Sequence, residues 1–186
     1  IGLSLAETLA KRGARIAAFD LRFSEAARAR LRTLCPHALF FEVDVRDAAG
    51  VEAAVNKAVE QIGVPEVAIN SAGVQVARPF LEISSERYDF VVDINLKGSR
   101  NFAAAVLPHM VCGSHLALVA SIAGVVSNYG YSAYSSSKFG VVGLASALRI
   151  ECKTRGICVS VICPPEVETP MVEEERRTAP AVTMQT

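Results

Sequence analysis

The chain has 186 residues, a length that suits one domain, and just over half of them are hydrophobic, enough to bury a sizeable core. Nineteen basic and nineteen acidic residues cancel, so nucleic acid and anionic membrane are excluded as expected partners. No apolar run reaches the ~18 residues of a membrane span.

The five cysteines (Cys35, Cys112, Cys152, Cys158, Cys163) form no C-x-x-C pair. That suits core filler in a reduced, cytoplasmic chain better than a disulfide framework. The sequence opens without Met, in mid-pattern at Ile1-Gly2, and reads as a piece of a longer chain folding as a single domain over 1–186.

The predicted elements alternate. A helix over 3–12 stops at Gly13, and the apolar run 15–20 is a strand ending on Asp20. Ser24 caps a helix to Leu34, and 39–45 alternates as a strand. Asp47 opens a helix that stops near Gly63, and 67–70 is a strand. Residues 84–109 are helical, with a weak point at Gly98, and 115–121 is a strand. Ser132 caps a long helix to Thr154, with Gly156 as its stop, and 157–163 is a strand that Pro164-Pro165 ends. From Val172 the E-E-E-R-R tail is a solvated helix or loop. Strand and helix in alternation, with apolar strands, predict a doubly wound parallel sheet in three layers.

In such sheets ligands bind at the carboxyl ends of the strands. Ile1-Gly2 opens the first helix, where a backbone can approach phosphate. Asp20 follows Gly2 by eighteen residues, the place of the acid that accepts from ribose hydroxyls. Its charge favours NAD over NADP, although Arg22 nearby leaves NADP open. Asp44-Val45 and Asn70-Ser71-Ala72-Gly73 end the next two strands. Asp44 can accept from an adenine amino group, and Gly73 lets the backbone run against a flat ring.

Tyr134 and Lys138 stand four apart in A-Y-S-S-S-K-F-G and share a helix face. A free phenol titrates near ~10, and a neighbouring ammonium lowers that value. The pair can then give or take a proton near neutrality. Ser121 ends a strand thirteen residues before Tyr134 and can bind a carbonyl oxygen. Asn95, in I-N-L-K-G, falls near the helix interruption, where a freed carbonyl can hold water beside Lys138. Serines 135–137 are given no chemistry.

Together N-S-A-G, I-N-L-K-G, S-I-A-G and Y-S-S-S-K resemble the motifs of the short-chain dehydrogenase/reductase family over nearly the whole chain. The resemblance implies a Rossmann-type domain that binds NAD(P). It makes Tyr134 the acid/base, and Lys138 the residue that lowers its pKa and binds the nicotinamide ribose. Ser121 orients the substrate oxygen and Asn95 supports the proton relay. Pro164, Val167 and Thr169, in P-P-E-V-E-T, match the loop over the nicotinamide, with Pro165 in place of the usual glycine.

The family's first strand and glycine-rich turn are represented only by Ile1-Gly2, so the first strand and the C-terminal end are expected to be missing. The P-P-x-x-x-T-P frame is similar to the 3-ketodihydrosphingosine reductase branch, although Asp20 disagrees with the NADPH preference which that branch implies.

Residues expected to face the substrate are Ala123, Val125, Asn128, Tyr129, Tyr131, Glu166 and Val167, mostly apolar. They suit a lipid-like or alicyclic ketone or alcohol. Small residues on the Tyr134 helix (Gly140, Gly143, Ala145, Ala147) permit close packing, and the resemblance implies a homodimer or homotetramer. Two other readings are a dinucleotide-binding regulator on the same fold and a sugar-nucleotide epimerase or dehydratase. No metal site is expected.

Overall fold

The structure is a computed structural model, and it describes residues 1–179. Five short parallel strands alternate with seven helices among these residues. The chain runs α1 (Gly2–Ala10), β1 (Ala17–Asp20), α2 (Glu25–Leu34), β2 (Leu39–Glu42), α3 (Ala48–Ile62) and β3 (Val67–Asn70). It continues with α4 (Ser85–Val92), α5 (Gly98–Val106), β4 (His115–Val119), α6 (Ser132–Glu151), β5 (Cys158–Ile162) and α7 (Pro170–Thr178).

The helix starts follow from side chains that satisfy orphan amides. Ser24 accepts from Ala27 N, Asp47 from Gly50 N and Ser84 from Arg87 N. Ser132 departs from expectation: the cap of α6 is Tyr131, and Ser132 already belongs to the helix. Its buried hydroxyl has no hydrogen-bond partner among the described residues. Gly156, at φ 66°, turns the chain out of the helical run, as glycine allows.

The strands form two parallel groups, β1-β2 and β3-β4-β5 in that order. Phe19 opposes Phe41 in the first register, and their rings stack at 5.1 Å. No ladder joins β1 to β3 among the described residues.

The larger core lies between the second group and α3, α5 and α6, around Val51, Phe102, Leu116, Leu118, Val141 and Val159. Leu116 and Leu118 have no exposed surface, as central strands covered on both faces require. A smaller cluster of Ala10, Ile16, Leu31 and Ala38 sits under α1 and α2. Phe19 bridges the two regions, edge-on to Phe102 at 6.4 Å.

The long predicted helix over 84–109 is interrupted at Asp93–Lys97 by a π turn. Gly98 N–H donates to Asp93 O, one residue further back than in an α-helix. The weak point is therefore centred on Asn95, and Gly98 opens the next helix. Strand β2 stops at Glu42, so Asp44-Val45 lie just beyond it. The charged tail becomes α7, while 180–186 lie outside the described residues.

Candidate active site

Strands β3, β4 and β5 carry their carboxyl ends to one edge, and α6 passes over it. Lys138 reaches back from α6 and donates from Nζ to Val119 O at 3.1 Å, the last residue of β4. Ser121 follows two residues later. Its Oγ accepts from Ala123 N at 3.1 Å. That bond uses a lone pair of the oxygen and leaves the hydroxyl hydrogen available to donate.

Beyond Ser121 the chain makes one 3₁₀ turn, Ile122–Gly124. A Cβ on Gly124 would stand 2.8 Å from Lys138 O. Only glycine lets this turn lie directly against the backbone of α6. Ile122 N donates to Pro164 O at 2.8 Å, which ties the same turn to the loop after β5.

Tyr134 and Lys138 are 9% and 5% exposed. The ammonium lies 5.7 Å from the centroid of the Tyr134 ring, and Tyr131 packs edge-on against that ring at 5.7 Å. Burial pushes the Lys138 ammonium down to about 8, and the nearby Cys163 thiol group opposes that shift.

Asn95 is completely buried. Its Oδ1 accepts from Val74 N at 2.8 Å, and its Nδ2 donates to Val74 O and to Ser137 Oγ, both at 2.9 Å. The side chain is thus spent on structure. The main-chain carbonyl accepts from Ser99 Oγ at 2.5 Å. The expectation of a freed carbonyl is therefore qualified: Ser99 already donates to it.

Sequence reasoning passed over Ser99 and Ser137. Ser137 accepts from Asn95 and donates to Tyr134 O at 2.7 Å, so it fastens α6 to the π turn. A serine among three serines carries no signal that separates this one.

The expected cofactor residues divide into those left open and those already engaged. Asp20 ends β1 with an exposed carboxylate that accepts from Arg22 N at 3.3 Å. Ile1 and Gly2 start α1, and a Cβ on Gly2 would meet Ser71 Oγ at 2.6 Å, which places the helix start against the loop after β3. Gly73 forms the fitted cradle. A Cβ there would lie 3.3 Å from both Asn95 Oδ1 and Lys138 Nζ, so the bare backbone is what leaves room for a flat ring.

Asn70 points inward instead: its Nδ2 donates to Ser99 Oγ, and its Oδ1 accepts from Ala72 N. Val45 O accepts from Asn101 Nδ2. The Asp44 carboxylate is held by Arg46, through its backbone N–H and guanidinium, which lowers its pKa. An adenine amino group would have to share it.

Thr169 Oγ1 accepts from Val172 N at 3.4 Å, at the start of α7. Pro164 is half-buried and Val167 exposed. Among the expected substrate contacts, Ala123, in the middle of the turn, is buried. Glu166 is pinned with Glu168 by Arg176 from α7. Val125, Asn128 and Tyr129 are exposed. Among the described residues no helix is long and apolar enough to cross a membrane, and no cluster of His, Cys, Asp or Glu suits a metal ion.

The short chain dehydrogenase family profile matches residues 1–180. Oxidoreductase UcpA of Escherichia coli (strain K12) is 36% identical over 183 residues, 95% of this chain and 69% of that protein. The 3-dehydrosphinganine reductase TSC10A of Arabidopsis thaliana is 39% identical over 191 residues, 98% of this chain and 57% of that protein. Among solved structures, levodione reductase matches with a TM-score of 0.89 at 31% identity, covering 95% of this chain and 72% of that one. Carveol dehydrogenase from Mycobacterium avium, solved with NAD, gives 0.88 at 28%, covering 94% and 70%. The parallel α/β scaffold, the motifs at its strand ends and these matches agree: the chain belongs to the short-chain dehydrogenase family of nicotinamide-dependent oxidoreductases that act on CH–OH groups.

Proposed function

We propose that Tyr134 is the general acid/base of a ketone–alcohol interconversion, with Lys138, Ser121 and Asn95 as its supporting set. The observation that carries this reading is the Lys138–Val119 hydrogen bond. It brings the ammonium beside both the Tyr134 ring and the strand end that bears Ser121.

In the reducing direction the Ser121 hydroxyl donates to the ketone oxygen and fixes it. Tyr134 then delivers a proton to that oxygen, and the Lys138 ammonium stabilises the phenolate left behind. The Asn95 carbonyl offers its remaining lone pair to water that returns the proton. Bound nicotinamide supplies or accepts the hydride. Gly73, Pro164, Val167 and Thr169 frame its ring, Lys138 also meets the ribose, and Ile1, Gly2, Asp20 and Asp44 take the rest of the dinucleotide. The thirteen-residue offset between Ser121 and Tyr134 speaks against an epimerase, and the intact set speaks against a purely regulatory role.

Asp20 favours NAD(H) over NADP(H), because its open carboxylate would repel a 2′-phosphate. The substrate reading is an apolar ketone or alcohol. Val125, Val126 and Tyr129 on one side, and Val167 and Met171 on the other, leave large apolar surface exposed. The hydrogen bond from Ile122 to Pro164 ties those two segments together. Similarity to the 3-dehydrosphinganine reductases adds long-chain 3-keto amines to the candidates.

A homodimer or homotetramer through α6 fits Gly143 and Ala147, which face outward, whereas Gly140 packs on Leu96 and Ala145 is buried. Five free cysteines suit a reducing, cytoplasmic setting and a single domain without disulfides. The test is turnover of long-chain 3-keto and cyclic ketones by the full-length protein with NADH and with NADPH. Higher catalytic efficiency with NADH is expected. A clear NADPH preference contradicts the Asp20 reading, and no turnover of any ketone contradicts the reaction class.

A further inference from the structure

Below the candidate site runs a chain of buried hydrogen bonds that the tetrad does not include. Ala72 N donates to Asn70 Oδ1 at 3.3 Å, Asn70 Nδ2 to Ser99 Oγ at 2.9 Å, and Ser99 Oγ to Asn95 O at 2.5 Å. Asn70 and Ser99 are 5% and 2% exposed. The chain starts in the loop that carries Gly73 and ends on the carbonyl assigned to the proton relay.

We propose that Ser99 is a positioning residue that couples the Ala72-Gly73 loop to the Asn95 carbonyl and so aims that carbonyl at Lys138; this rests on the tetrad reading above. The argument is one of valence. A serine hydroxyl has one hydrogen and two lone pairs. Ser99 spends the hydrogen on Asn95 O and a lone pair on Asn70 Nδ2, so it transmits any shift of either to the other. A carbonyl with two lone pairs, one of them filled from a fixed direction, has its other acceptor direction fixed as well. The Asn95 side chain cannot take over, because both its N–H groups and its oxygen are engaged. Hydrogen bonds in series also strengthen one another in a low-dielectric interior.

The consequence reaches Tyr134 through Lys138. A Cβ on Gly73 would stand 3.3 Å from both Asn95 Oδ1 and Lys138 Nζ, so the loop lies close to both and a shift of it is felt at each. Burial already works against the ammonium, and each acceptor that faces it helps keep it charged. Loss of the Ser99 hydroxyl leaves the ammonium less supported and the Tyr134 phenolate with it.

The experiment follows Tyr134 directly. Full-length protein labelled with ¹³C at tyrosine Cζ is titrated by NMR, with and without NADH, as wild type, Ser99→Ala and Ser99→Thr; Tyr134→Phe assigns the signal. In the wild type Tyr134 is expected to titrate below the other tyrosines. Ser99→Ala is expected to move it upward by about one pH unit, a tenfold loss of acidity, and Ser99→Thr, which keeps the hydroxyl, to restore it. A Tyr134 titration unchanged in Ser99→Ala overturns the coupling, whatever that variant does to thermal stability. A wild-type Tyr134 that titrates like an exposed tyrosine overturns the tetrad reading instead.

Discussion

Lys138 stands between opposing electrostatic demands. Its stem is buried and its ammonium has a carbonyl partner in Val119, yet desolvation pulls its pKa to about 8. The unfolded value is about 10.4. Between these values the unfolded chain holds more protons, so the folded state gains stability as pH rises from about 8 to about 10.4, by roughly 3 kcal/mol in all. Lys138→Met removes that gain. Urea unfolding of both proteins at pH 8 and pH 10 is expected to show wild type improving relative to the variant, and a constant difference would contradict the buried-ammonium description.

Asp20 gives a second prediction at this scale. Asp20→Asn removes the carboxylate charge and is expected to reduce the NADH-to-NADPH efficiency ratio by about tenfold, in line with ~1.4 kcal/mol of lost discrimination. An unchanged ratio would remove Asp20 from cofactor choice. The proposed set of Tyr134, Lys138, Ser121 and Asn95 rests on four motifs in combination and on the family they resemble, since each spacing alone is common. Ser99 and Ser137 were not legible in the sequence. Their roles depend on which face of a helix meets a buried neighbour, and serine alone does not encode that.

The elements were legible where a local rule decides them. Ser24, Asp47 and Ser84 cap helices because a short side chain meets amides three residues on. The weak point of the long helix was assigned to Gly98, since glycine is the visible breaker, whereas the π turn at Asp93–Lys97 leaves no mark in composition. Strands came out shorter than their apolar runs, as at β2, because pairing stops where the partner strand ends.

The packing of α6 on the Ser121 turn is equally invisible in sequence, although it sets the site. It predicts that Gly124→Ala, which drives a Cβ into the Lys138 carbonyl, costs about 1–3 kcal/mol and lowers turnover more than cofactor affinity. Chemical unfolding with steady-state kinetics checks both, and a variant with normal kcat would show the turn and helix to be uncoupled.

At the scale of the whole molecule the strands of the second group run parallel, so the loops that follow β3, β4 and β5, with Gly73, Ser121 and Pro164, leave the sheet on the same side. The division into two strand groups and two apolar clusters was not legible, because it depends on which strands pair rather than on their composition. Val125, Val126, Tyr129, Val167 and Met171 leave apolar side chains exposed. For a homologous series of 3-keto compounds, kcat/KM is expected to rise with chain length by up to about fourfold per methylene, the equivalent of ~0.8 kcal/mol. A flat series would place the tail in water.

All of this turns on the phenol of Tyr134. Turnover and NADH binding of Tyr134→Phe, measured side by side in the full-length protein, test it most directly. The account predicts a loss of kcat of about a thousandfold with NADH affinity within about twofold of wild type, whereas near-normal turnover in that variant would contradict it.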